Sequence, residues 1–193
     1  MKRDNSERSG SRPRLALLRP ADLESKQKIV YEAIVNGRRA NVADSDGSLV
    51  GPLNAMLYSP EIGLALQALG AAIRFEGSLS GRAREIAILA VATHNKCGFE
   101  WSSHEAVARA LGLRDREIDA IRAGRAGDFE DPLEREVLSL TRAILSEGDL
   151  ADADYAHAQG KLGANGLVEL TTLIGYYSLL ALQLRIFRVP SPA

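Results

Sequence analysis

The sequence predicts an all-α protein, a compact bundle of about eight or nine helices, and three observations carry that expectation. Alanine and leucine supply 28 and 27 of the 193 residues, whereas valine, isoleucine and threonine together supply 24, a balance that favours helix over sheet. Apolar residues recur at spacings of three and four along most of the chain, and no long stretch alternates apolar with polar. Gly, Pro, Asn and Asp punctuate the periodic segments.

Each element has its own signal. Residues 1–18 carry a basic, apolar-poor start (MKRDNSERSGSRPR) and read as a disordered arm, leaving 19–193 as a single domain. Pro20 can stand in a first turn, and Leu23, Ile29, Val30, Ile34 and Val35 approximate one helical face, so a helix is expected over 20–36, ending at Gly37. Asn41 to Gly51 is loop chemistry, and Gly51-Pro52 opens a short apolar segment to Tyr58. Ser59-Pro60 starts a helix bearing Ile62, Leu66, Leu69 and Ile73, which stops near Gly77. Ser80 is a suitable N-cap for the next, whose stretch Ile86 to Ala92 is apolar on every side and therefore interior. After His94-Asn95-Lys96 a helix is expected from Cys97-Gly98 to Leu111-Gly112, then a short amphipathic one over 114–123 ended by Gly124. Asp131-Pro132 starts another to Glu147-Gly148, and helices over 152–162 and 167–188 complete the set.

Composition narrows the function classes. Twenty-four basic and 25 acidic residues leave a net charge of -1, so no overall field recruits nucleic acid or an anionic membrane. The single cysteine cannot form an internal disulfide, which suits a reducing, cytoplasmic setting. With three histidines and one thiol no metal site is expected, and without a phosphate-binding glycine loop or flavin fingerprint no cofactor is expected either. Leu170 to Leu184 is charge-free for 15 residues, fewer than a bilayer span needs, and reads as a buried helix. The segment from His104 to Ile121 has the outline of a helix-turn-helix with Gly112 in the turn. Yet Arg114 to Arg122 balances three arginines with two aspartates and a glutamate, which argues against DNA and for an αα-hairpin packed in the bundle.

The chemistry-bearing segment runs from Glu85 to His104. On a helix begun at Cys97, the residues Cys97, Glu100 and His104 fall at i, i+3 and i+7, one stripe of its surface. Antiparallel packing against the preceding apolar helix would bring Glu85 toward the same interior. Buried carboxylate and imidazole groups shift one another's pKa values, which suits proton transfer near neutral pH. Glu85, Cys97, Glu100 and His104 are the candidate catalytic residues, and Trp101 and His94 the candidates for lining a substrate pocket.

The spacing Glu85, Cys97, Glu100, His104 resembles the carboxymuconolactone decarboxylase and alkylhydroperoxidase D-like superfamily, most strongly over 51–124. Weaker support comes from the Leu-Val-Glu-Leu segment at 167–170 followed by Tyr176-Tyr177. The peroxidase branch has a glutamate, a cysteine twelve residues on, a second cysteine three later and a histidine four after that. Here Glu100 stands at the second cysteine's position, so the two-thiol chemistry the resemblance implies cannot close within this chain. The decarboxylase branch is similar in placing an acid four residues before the histidine. The resemblance thus implies an alkylhydroperoxidase D-like bundle and a lyase acting on a small carboxylated or lactone substrate through a Glu/Cys/His proton relay. The alternatives are a peroxiredoxin-type hydroperoxidase whose Cys97 is resolved by an external thiol, and a catalytically silent helical oligomer. Abundant apolar helix surface, with the resemblance, implies a homo-oligomer: a dimer, trimer or hexamer.

Overall fold

Eight α-helices and one 3₁₀ turn make up the computed structural model, which describes residues 12–39, 42–127 and 129–191. They are α1 (Ser25–Val35), α2 (Pro52–Met56), α3 (Pro60–Phe75), α4 (Gly81–His94), α5 (Gly98–Ala110), α6 (Asp115–Arg122), α7 (Pro132–Glu147) and α8 (Asp152–Ile186). Among the described residues no strand forms; Ala43 and Leu49 make an isolated bridge within the expected loop. The all-helical expectation therefore stands.

Three boundaries differ from the sequence reading, each for a local reason. The first helix does not run from 20. Pro20–Asp22 is a 3₁₀ turn, Leu23 is extended, and α1 begins after Glu24. Gln27 Oε1 accepts the Glu24 N–H at 2.9 Å, one half of a capping box that sets the helix start five residues late. The gap expected between the last two helices shrinks to a single residue, Gly163, whose φ of 68° and ψ of 170° break α8 without a loop. The expected disordered arm is partly fixed. Residues 1–11 lie outside those described, but Arg14 donates its N–H to the Phe187 carbonyl at 2.9 Å, and Leu18 N–H reaches Asn54 Oδ1 at 3.1 Å.

The chain divides into two compact units: the described residues up to Gln67 with Gln183–Pro190, and Ala68–Leu182 with Ser191. In the first, Val30, Ile34, Leu49, Leu53, Met56 and Leu57 are buried. There α3 approaches α2 so closely that a Cβ on Gly63 would stand 2.1 Å from the Met56 carbonyl oxygen.

The second unit is organised around α4, which packs against α5, α6 and α7. From Glu85 to Ala92 every α4 residue is buried, as the all-round apolar pattern predicts. Ile86, Leu89 and Ala90 join Ala108, Ile118, Ile121, Phe129 and Leu138 in one hydrophobic cluster. Polar contacts set its register. Ser80 Oγ accepts the Ala83 N–H at the N-cap, and Glu169 of α8 accepts the Ser78 N–H at 2.7 Å just before it. Arg82 grips Glu134 of α7 with two hydrogen bonds, at 2.6 and 2.9 Å, and reaches the Gly112 carbonyl before α6.

By length and composition α8 is apolar enough to cross a membrane, and 50% of its most apolar window is buried inside the protein. Leu170, Leu173, Tyr176, Tyr177 and Leu180 face inward, whereas Val168, Leu179 and Leu182 remain exposed.

Two glycines in helices test this packing from opposite sides. Gly63→Ala should lose about 1–3 kcal/mol, because the added methyl overpacks backbone. Gly160→Ala, where a Cβ meets nothing within 4 Å, should gain up to about 1 kcal/mol from helix propensity. Urea unfolding of the two variants beside the parent measures both.

Candidate active site

The α4–α5 connection is the device that brings the acid to the histidine. Lys96 adopts a left-handed φ of 51°, reversing the chain so that Cys97 N–H bonds back to the Ala92 carbonyl at 2.9 Å. Cys97 then occupies the N-cap of α5 in an extended conformation. With α5 packed on α4, Glu85 from the second turn of α4 meets His104, 19 residues later, with Oε2 and Nδ1 2.6 Å apart. On the other side of the ring, Nε2 is 3.4 Å from Oε2 of Glu100, one turn earlier on α5. All three residues are buried, Glu85 at 0% exposure.

Two further helices close the cluster. From the last turn of α3, Arg74 brings Nη2 to 3.2 Å from His104 Nε2. From α8, Tyr177 stands edge-on to the imidazole at a centroid distance of 5.2 Å and packs against Tyr176 at 5.3 Å. Arg84 Nε is 3.6 Å from Glu85 Oε1 on the far side of that carboxylate, within ion-pair range but beyond a hydrogen bond.

The contacts assign the ring proton. A guanidinium only donates, so Nε2 facing Arg74 is the acceptor, and the neutral ring carries its proton on Nδ1, donated to Glu85. A proton added at Nε2 turns that edge into a donor, for which Glu100 Oε2 is the acceptor within reach.

Burial opposes charge on His104, but hydrogen bonds and charge from Glu100 and Glu85 outweigh it and hold the imidazole above its usual pKa. Burial likewise opposes ionisation of Glu85, yet the hydrogen bond to His104 and the charges of His104, Arg74 and Arg84 keep it below the usual carboxylate range. Burial pushes the Tyr177 phenol up, so it stays neutral. The cluster is thus an ionised acid, a proton-accepting ring and a second carboxyl group, all buried.

Five buried polar atoms here have no hydrogen-bond partner among the described residues: Arg74 Nε, Arg84 Nε, Glu85 Oε1, Glu100 Oε1 and Tyr176 Oη, of which Arg84 Nε and Glu85 Oε1 face each other at 3.6 Å. Buried groups of this kind are costly, and these are gathered around one histidine. A groove of about 210 Å³ lies between α3 and α8, bordered by Leu69, Ile73, Val168, Thr172 and Leu173, and none of the cluster's side chains lines it. Ile73 adjoins Arg74, and Leu173 lies one turn from Tyr176 and Tyr177.

Of the six residues singled out from sequence, the structure brings Glu85, Glu100 and His104 into contact. Cys97 is buried at the helix junction, 3% exposed. Trp101 has other partners: its indole N–H donates to Glu105 at 2.6 Å, Arg122 lies 4.4 Å over its ring, and it packs on the α4 cluster. His94 is exposed at the end of α4. Among the described residues, no three His, Cys, Asp or Glu side chains are grouped so as to hold a metal ion.

Sequence reasoning missed Arg74 and gave Tyr176 and Tyr177 no role at the site. A lone arginine between Ile73 and Phe75 in an apolar helix, and a tyrosine pair in a charge-free segment, are the signals that could have found them.

The fold and this cluster define a class first: a helical protein holding a buried acid–histidine pair between two packed helices. Residues 60–143, from α3 into α7, match the carboxymuconolactone decarboxylase family and contain Arg74, Glu85, Cys97, Glu100 and His104. Over that stretch the chain is similar to the carboxymuconolactone decarboxylase family. No curated protein matches the sequence.

Solved structures share the fold. A peroxidase-related protein with an alkylhydroperoxidase AhpD core from Ralstonia eutropha is 15% identical with a TM-score of 0.74, the match covering 95% of this chain and 94% of that one. A putative antioxidant defence protein AhpD from Agrobacterium tumefaciens is 22% identical at a TM-score of 0.65, covering 72% of this chain and 97% of its own. The debrominase Bmp8 is 15% identical at 0.70, covering 92% and 91%.

His104 offers a direct check on the electrostatics. By proton NMR its ring should titrate with a midpoint above the ordinary value of roughly 6.5. Glu85→Gln removes a stabilising charge and should lower that midpoint. The neutral, proton-accepting ring then predominates from a lower pH in the variant.

Proposed function

We propose that this chain is a carboxymuconolactone decarboxylase-like enzyme that moves a proton on a small carboxylated or lactone substrate through Glu85, His104 and Glu100. The single observation that carries the reading is the buried imidazole with a carboxylate at each nitrogen, Nδ1 held at 2.6 Å and Nε2 facing Glu100 at 3.4 Å.

The chemistry follows from the ring's two edges. Glu85 fixes the tautomer by accepting the Nδ1 proton and stabilises the imidazolium when it forms. Nε2 is the working atom. In a decarboxylation, the bond from the substrate carbon to its carboxylate breaks, carbon dioxide leaves, and the electron pair stays behind as a dienolate. His104, protonated at Nε2, then delivers that proton to carbon and regains one from solvent. Glu100 steadies the Nε2 proton before transfer. Cys97 shapes the junction that aims α5 and takes no covalent part.

A second reading is supported by the single buried thiol and by fold neighbours described as peroxidase-related. Cys97, as thiolate, attacks the outer oxygen of a hydroperoxide. The O–O bond breaks, an alcohol leaves with a proton from His104, and the cysteine becomes a sulfenic acid. An external thiol must then form the mixed disulfide and release water, because the chain holds one cysteine.

The readings separate on two variants assayed for loss of carbon dioxide from an unsaturated lactone acid and for hydroperoxide consumption. On the first reading His104→Gln lowers turnover of the lactone acid by about 10²–10⁴-fold, the usual contribution of a positioned acid or base. Cys97→Ser retains most of it. Loss of hydroperoxide consumption in Cys97→Ser, with no lactone turnover in the parent, supports the second instead. Full activity of His104→Gln in both assays contradicts both.

A further inference from the structure

The relay uses both edges of His104 but leaves Arg74 without a task. Its Nη2 stands 3.2 Å from His104 Nε2, the atom that must reach substrate, and its buried Nε meets no acceptor among the described residues. Tyr176 Oη is in the same condition. Arg74 is therefore a cation with a spare donor, held against the working nitrogen.

Protonation decides whether that contact survives. Against the neutral ring, Arg74 donates to Nε2 and occupies it. Against a ring protonated at Nε2, two donors would face each other, so Arg74 must withdraw while the ring proton turns to Glu100. An incoming carboxylate favours the same withdrawal. It offers two acceptor oxygens to the planar fork of the guanidinium, and another to a phenol such as Tyr176. Arg84 lies toward Glu85 Oε1, so Arg74 is the cation at the Nε2 edge, where Glu100 would otherwise repel an anion.

We propose that Arg74 binds the substrate's carboxylate and that this binding draws it off His104 Nε2, so that the resting Arg74–His104 contact is a latch which the substrate opens. This deepens the reading above and rests on His104 being the acid–base group. The substrate class it names is a small carboxylate placed with its reacting carbon next to Nε2. Neutral analogues, which cannot compete for the guanidinium, leave the base covered.

Fumarate and benzoate serve as probes, followed on the full chain by ¹⁵N NMR of labelled histidine, with His104 assigned through His104→Gln. At least one of the two should bind saturably and shift the His104 Nε2 resonance. Arg74→Gln should weaken that binding by about 10–100-fold, the range for losing a charged hydrogen-bonding partner. It should also raise the His104 midpoint, since a cation beside Nε2 is gone. Arg74→Lys should fall between the two. Absence of saturable binding by either probe, binding that leaves the His104 resonance unmoved, or equal affinity in Arg74→Gln overturns the proposal.

Where Arg74→Gln does not fold, Arg74→Lys decides alone. Affinity about tenfold weaker supports the latch, and unchanged affinity overturns it. The two levels fail separately. Carboxylate binding lost in Arg74→Gln together with a fully active His104→Gln sinks the relay and leaves Arg74 as the anion site. An inactive His104→Gln with binding indifferent to Arg74 sinks the latch and leaves the relay.

Discussion

The 2.6 Å contact between Glu85 and His104 is the constraint on which the rest of the site depends. It places an ionised carboxylate at the head of the α4 stretch that is apolar on every side, and a buried charge persists only when it is paired. The imidazole is that pair. Because α4 and α5 are joined by a tight reversal at Lys96, the partner sits on the next helix, and burial of α4 itself forces the two together. The core and the chemistry are one arrangement: α5 cannot slide along α4 without leaving Glu85 alone in a hydrophobic interior.

What surrounds the pair converts a structural contact into a poised one. Glu100 and Arg74 address the same nitrogen with opposite charge, one favouring a proton there and the other its lone pair. The Tyr177 ring closes one face, and Arg84 lies toward the back of Glu85. Contacts distant from the chemistry hold the frame. Glu169 secures the chain before α4, and Arg82 ties the start of α4 to α7 and to the turn before α6. These groups fix where α4 begins, and hence where Glu85 points.

Much of this was legible in the sequence, for identifiable reasons. Ile86 to Ala92 could only be interior, Ser80 could cap what preceded it, and the spacing of Glu85, Glu100 and His104 survives any small error in helix boundaries. The start of α1 was missed because glutamate is an uncommon N-cap, betrayed only by Gln27 three residues later. An aromatic ring gives no direction in sequence, so only the structure shows Trp101 against Glu105 and Arg122. Arg74 was invisible for a different reason. An arginine in the last turn of a helix ordinarily compensates the helix dipole, and only the fold shows that this turn ends over His104. The division into two compact units was equally hidden, since α3 and α8 each run through both and leave no linker to read.

Glu85 holds the proton of neutral His104 on Nδ1, which leaves Nε2 as the accepting edge of the ring. Ring ¹⁵N chemical shifts of His104, recorded above its titration midpoint, address it directly. The account predicts a protonated Nδ1 and an unprotonated, imine-like Nε2. A ring carrying its proton on Nε2 under those conditions would contradict it.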